Sequence, residues 1–281
     1  MTMQEILVEA DALLKVKAKN TRKNYMLTYR ELGNEIPTKI SVAQYIADCK
    51  EKYKPATINI RLAALSWLVK HFTEYIPDAL QIQRLASEAH TKPEQEIIYA
   101  TKEQADNVIR NSDTRTALAV GLMFYAGLRI SDAVALKVSD WKNTEDGCVI
   151  SFKNEKTKVL IQVPVCNKLQ ELYDKYKKRD RLWTVMSWTQ HQNDDTVLVG
   201  KRGAVSNSTI FRDIKAVCRE CGYPELHPHA FRHGLATALA KENASPNVIK
   251  NILGHTSMAM TDRYIHLSTS DKKEALDAVF S

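Results

Sequence analysis

Residues 87–96, SEAHTKPEQE, are polar, contain Pro93 and carry no stripe of apolar residues that a core could use. A chain of 281 residues interrupted in this way has to build a separate core on each side of the break. The spacing of apolar residues says what each side is made of. Ile6, Leu7, Ala10, Leu13 and Leu14 form a helical stripe between Gln4 and Lys17. Thr21 is expected to cap a second helix bearing Tyr25, Leu27, Tyr29 and Leu32. Ser41 with Gln44 reads as a capping box before a third. A fourth follows Pro55, with Ile60, Leu62, Leu65, Leu68 and Val69 toward the core and Arg61 and Lys70 on its other face.

Beyond the break, Thr101 with Gln104 makes another capping box. An apolar run from Ala119 to Ala126 ends at Gly127, and Ser131 is expected to cap the next helix with Asp132 in its first turn. Val149–Phe152 and Val159–Val163 are β-branched and apolar around the polar KNEKTK, the pattern of a hairpin. Helices are predicted over 168–179, 206–221 and 230–242, and a short strand over 196–200. Ser245, Pro246 and Gly254 bound a further helix, and a short one follows, in the manner of a helix-turn-helix. The fold class is therefore mainly α. A helical N-terminal domain covers 1–86, a linker 87–98, and a mixed, mostly α domain with a small β-sheet 99–281.

A net charge of +7 favours an anionic partner. Lys15, Lys17, Lys19, Arg22, Lys23, Lys50, Lys52 and Lys54 cluster near predicted helix ends, as phosphate contacts or as a solvated surface. No apolar run is long enough to span a bilayer, and the acidic start MTMQEILVEADALL is unlike a signal peptide. The chain is expected to be cytoplasmic. Five cysteines, Cys49, Cys148, Cys166, Cys218 and Cys221, fit reduced thiols rather than a disulfide framework. Cys218 and Cys221, followed by His227 and His229, lack the spacing of a standard structural zinc site, so no metal is expected.

The candidate chemistry lies in three stretches. In HPHAFRHGLAT, His229 and Arg232 are three residues apart and share a helix face. LGHTSMAMTDRYIH supplies His255 and, nine residues later, Tyr264. Upstream, YAGLRISD places Arg129 after a long apolar segment, where a partly enclosed guanidinium needs an anion such as phosphate or the nearby Asp132. Imidazole, guanidinium and phenol can grip a phosphate, move a proton and attack phosphorus. His233 and His266 flank these residues and read as packing or local hydrogen bonding.

In type, order and spacing, GLRISD, HAFRH, LGHTS and RYIH resemble the tyrosine site-specific recombinases, or phage integrases. The resemblance covers the C-terminal two thirds closely. The first ninety or so residues resemble, more weakly, the family's helical core-binding, SAM-like domain. Asp132 stands where the family more often has Glu, and Ala230 where it often has an acid. The resemblance implies a catalytic set of Arg129, Lys156, His229, Arg232, His255 and Tyr264. The lysine is found by counting back about eight residues from Pro164 on the hairpin, with Lys153 and Lys158 as competitors. It implies DNA cleavage and rejoining through a 3′-phosphotyrosyl link, with no metal, ATP or other cofactor. The implied partners are double-stranded DNA with an inverted-repeat core site and three further copies of the chain in a tetramer. A C-terminal helix at about 270–281 would be donated to the neighbouring subunit. The short front segment implies no added arm-binding domain, so a simple Xer-like or transposon-type enzyme, working at the nucleoid, is expected. Alternatives are a type IB topoisomerase or telomere resolvase sharing the chemistry, and a non-enzymatic DNA-binding regulator.

Overall fold

Two of the helix-start signals in the sequence, at Thr101 and Ser245, become caps in the structure. The structure is a computed structural model that describes residues 1–90, 97–145, 147–153, 159–178, 195–200, 203–255, 257–262 and 264, with the side chains of 259 and 262 excepted. The chain divides into two compact units, Met1–Glu96 and Ile97–Ser281.

The first unit is helical. Helix α1 (Met3–Leu13) starts in a capping box between Thr2 and Glu5 and runs into a 3-10 turn, Leu14–Val16. Helix α2 (Lys19–Leu32) begins earlier than expected, because Ala18 is already extended and Thr21 lies inside the first turn. Helix α3 (Lys39–Lys52) is capped by Thr38 rather than Ser41. The Ser41 hydroxyl is committed to the Thr38 N–H at 2.9 Å, so the helix starts one turn sooner. Helix α4 (Pro55–His71) has proline in its first turn and packs on α2 and on α5 (Ala79–Glu88). Helix α5 thus occupies the first residues of the stretch expected as linker, and 91–96 lie outside the described residues.

Two expectations for α4 are overturned. Ile60 is exposed and Ile58 is buried in its place, and Arg61 is buried rather than on a polar outer face. Arg61 follows Ile58 by three residues and precedes Leu65 by four, which is the core stripe. Its charge is met by Glu31 at 2.8 Å and by the Thr28 hydroxyl at 3.1 Å.

The second unit packs helices around one apolar centre with a small sheet to one side. Helix α6 (Lys102–Arg110) begins in the expected Thr101–Gln104 box. Helix α7 (Thr114–Phe124) is buried from Thr116 onward and packs against α9 (Asn167–Tyr176) and α11 (Pro228–Lys241). Between α7 and α9 come α8 (Ile130–Ala135) and a meander of β1 (Trp141–Thr144), β2 (Gly147–Lys153) and β3 (Leu160–Pro164). The hairpin is the expected one, with Ile150 opposite Val163 and Phe152 opposite Ile161. Strand β1 is an addition. Its Trp141 donates from Nε1 to Gln170 at 3.1 Å and stacks on Tyr173 of α9, which fastens a polar strand to the core.

The expected strand over 196–200 is reduced to β4 (Val199–Gly200), paired with β5 (Gly203–Ala204), and a single bridge from Thr196 to Lys137. Helix α10 (Asn207–Glu220) is capped by Ser206. Helices α12 (Pro246–Leu253) and α13 (Ala259–Asp262) complete the described chain, with Ser245 as the cap of α12. Among the described residues no helix is long and apolar enough to cross a membrane.

Candidate active site

Arg232 is the hub of the site. It lies on α11, which can approach α7 closely because residue 234 is glycine. A Cβ there would sit 2.2 Å from the carbonyl oxygen of Ala100 and 2.9 Å from the Phe124 ring. Packed this tightly, Arg232 is buried, with 6% of its surface exposed. Its Nη1 donates to the carbonyl of Gly127, just beyond α7, and its Nη2 to the carbonyl of Leu253, the last residue of α12, at 2.5 Å. A cation at a helix C-terminus meets carbonyls left without helical partners. One side chain therefore ties together three stretches that lie far apart in sequence.

Arg129 stands close to this hub. It is the N-cap of α8, so the helix starts one residue after it rather than at a Ser131 cap; the Arg129 carbonyl accepts from Ala133 at 2.9 Å. Its guanidinium is 3.8 Å from the carboxylate of Asp132, which is buried in the first turn of α8. Burial is the first cause, and the positive charge of Arg129 the second, that pull the Arg232 pKa down to about 10; Asp132 and Tyr264 act against the shift. Two guanidiniums against one carboxylate leave an excess positive charge.

The remaining residues follow from the ends of α11 and α12. His229 lies one turn before Arg232 on α11 and keeps an exposed surface. The atoms crowded behind it still push its pKa below the usual imidazole value, with Arg232, His227 and Arg129 adding to the effect. Gly254 closes α12 with φ of +59°, and a Cβ there would also meet Ile161 of β3 at 2.5 Å. This turn delivers His255 into a buried position, where its Nδ1 is 2.9 Å from the Thr261 hydroxyl. Tyr264 packs beside Ala236, Ile249 and Leu253, and its backbone N–H donates to Thr261 at 2.9 Å.

The Tyr264 hydroxyl is in hydrogen-bond contact with Nδ1 of His233. The sequence assigns His233 to packing or local hydrogen bonding, and the structure supplies a hydrogen bond whose partner is Tyr264. The signal that could have found His233 is its spacing, four residues after His229 and one after Arg232, which puts it on the His229 face of the helix. Of the hairpin lysines, Lys153 ends β2 opposite Leu160 and is exposed, while Lys156 and Lys158 lie outside the described residues. So do His266 and the expected terminal helix over 270–281. Among the described residues no three His, Cys, Asp or Glu are grouped to hold a metal ion. Cys218 lies in the core, where burial pushes its thiol up to about 11.

The sequence of residues 89–271 matches the phage integrase family, a span that contains every site residue above. The chain belongs to the phage integrase family. Among relatives in this family, a tyrosine recombinase of Pseudothermotoga lettingae is 28% identical over 165 residues, 58% of this chain and 53% of that protein. The tyrosine recombinase XerC of Bifidobacterium longum is 26% identical over 186 residues, 64% of this chain and 52% of XerC. The chain thus spans about half the length of these two relatives. The fold is that of a lambda integrase dimer solved on a COC′ core site, with a TM-score of 0.74 at 20% identity, covering 95% of this chain and 96% of that one.

Proposed function

We propose that this phage integrase family member is a site-specific DNA recombinase that cuts and rejoins strands through a 3′-phosphotyrosyl link at Tyr264. The observation that carries the reading is the excess positive charge at Arg232 and Arg129, beside a tyrosine. A buried guanidinium next to a second one is costly unless an anion joins them, and a planar fork suits the oxygens of a phosphodiester.

In this reading Arg129 and Arg232 bind the non-bridging oxygens and stabilise the charge that builds on them as Tyr264 attacks. His229, its pKa held below the usual imidazole value by burial and then by the cations around it, lies beside the phosphate that Arg232 and Arg129 would bind. His255 adds a hydrogen bond to the phosphate. Lys156 protonates the departing 5′-oxygen. The covalent link conserves the ester, so a 5′-hydroxyl of another strand can reverse the step without ATP. The partners proposed are duplex DNA with an inverted-repeat core site and three further copies of the chain, with the enzyme at work on the nucleoid in the cytoplasm.

Trapping tests the chemistry. Incubation with a library of duplex DNA should yield detergent-resistant protein–DNA complexes, and sequencing their DNA would identify the site. Tyr264→Phe should abolish these complexes while leaving gel-shift binding intact. Covalent complexes that persist in Tyr264→Phe would sink the assignment of the nucleophile, whereas a wild-type protein that binds and never links would favour a DNA-binding regulator. For the assembly, deleting residues 275–281 should weaken tetramer formation on that DNA and slow strand exchange. Unchanged assembly would remove the proposed role of the tail.

A further inference from the structure

Tyr264 meets an imidazole at its hydroxyl, and that imidazole belongs to His233, the last residue of HAFRH, not to the catalytic set that the resemblance implies. The His233 and Tyr264 ring centres are 5.8 Å apart, and the rings are tilted by 41°. The His229 ring stands 6.3 Å from that of His233, one helical turn along α11. His229 is exposed and its neighbours are Arg232 and Arg129, which suits it to phosphate. His233 is half-buried, and its Nδ1 is directed at the phenol. With the ring protonated on Nε2, Nδ1 is a lone-pair acceptor and the tyrosine O–H is the donor.

Resting on the phosphotyrosyl reading above, we propose that His233 is a catalytic residue that holds the Tyr264 hydroxyl and takes its proton during attack on DNA. The step balances. The Tyr264 oxygen bonds to phosphorus as the bond from phosphorus to the 5′-oxygen breaks. The phenolic proton passes to His233 Nδ1, and the 5′-oxygen receives a proton from Lys156. Rejoining runs the transfers backwards, and the imidazolium returns its proton to the leaving tyrosine. His229 is left to bind the phosphate. Proximity carries the assignment: a base must lie within hydrogen-bond reach of the proton it removes.

The test uses the full chain and a synthetic duplex bearing the site recovered by trapping, with either an ordinary phosphate or a 5′-bridging phosphorothiolate at the scissile position. A thiolate leaves without needing a proton, so this substrate bypasses the acid and not the base. In His233→Asn, the amide oxygen stands near the place of Nδ1 and can accept a hydrogen bond, but it cannot take the proton. The expected result is DNA binding and melting like wild type, with adduct formation slowed at least about 100-fold on both substrates. An adduct rate within about threefold of wild type would show that His233 only packs or orients the ring. Rescue by the thiolate would place it on the leaving-group side; either result overturns the proposal. Should the asparagine variant fold poorly, His233→Gln is read in the same way. A wild-type protein that forms no adduct on either duplex fails at the underlying phosphotyrosyl reading, a result distinct from a wild type that reacts and a His233 variant that reacts equally well.

Discussion

Among the described residues each unit of the chain buries one arginine, to the same depth, and the two are treated in opposite ways. Arg61 and Arg232 each expose 6% of their surface. Around Arg61 the chain builds a set of partners that includes a counter-ion of its own: Glu31 at 2.8 Å, the Thr28 hydroxyl, the carbonyl of Asn24 and the face of the Tyr53 ring. Glu31 is itself held by the Tyr45 hydroxyl at 2.9 Å. Arg232 is given two neutral carbonyls, and the one buried carboxylate near it, Asp132, is shared with a second arginine. Burial of a charge costs the same kind of desolvation in both places. Where the fold supplies the counter-ion, the arginine is structural. Where two arginines share one carboxylate, the excess charge is what the proposed phosphate would meet.

The largest test of this contrast is Arg232→Lys. An ammonium keeps the charge but cannot bond both carbonyls and also present a fork to phosphate. Adduct formation in the trapping assay should fall by about a thousandfold or more, while the folded protein persists and still binds DNA. The matching change in the first unit is Arg61→Met. It strands the Glu31 carboxylate and should lower stability by about 3 kcal/mol in denaturant titration, with little effect on the rate of linkage by the fraction that stays folded. If Arg232→Lys proves chiefly destabilising, or Arg61→Met chiefly inactive, the two arginines do not differ in the way their partners suggest.

The same two residues show how far the sequence could be read. Arg129, His229, Arg232, His255 and Tyr264 were singled out by residue type and order; the structure sets Arg129, His229, Arg232 and Tyr264 near one another, and His255 against Thr261 just after α12. The Thr101–Gln104 box, the Ser245 cap, the Gly254 stop and the hairpin were also legible, because each depends on local chemistry. Arg61 was misplaced because its residue type outweighed its spacing: position 61 falls on the buried stripe, and only a partner 30 residues away makes that tolerable. Strand β1 was missed because Trp141–Thr144 is polar along most of its length and is held by Gln170 and Tyr173, which no local pattern announces. The partner of His233 was not legible for the same reason: it is a tyrosine that arrives 31 residues later, carried back by the turn at Gly254.

The smallest expected effect follows from the excess charge that sets Arg232 apart. His227 and His229 both have pKa values held below the usual 6.5, by burial first; Lys215 adds to the shift at His227, and Arg232, His227 and Arg129 add to it at His229. The unfolded chain takes up protons at these sites near pH 6.5, while the folded chain resists until the pH is lower. Below the unfolded value the unfolded state therefore binds more protons. Stability from these two groups is complete above pH 6.5 and declines as pH falls toward their folded values. Thermal melts between about pH 8 and about pH 5.5 should show a drop on the acid side that is shallower in His227→Gln/His229→Gln. Bound DNA should flatten the drop as well, because phosphate beside Arg232 and Arg129 offsets the cations that disfavour protonated His229. A slope that steepens when DNA is added would mean that the phosphate does not sit among these cations. The distinction between the two arginines would then lose its explanation.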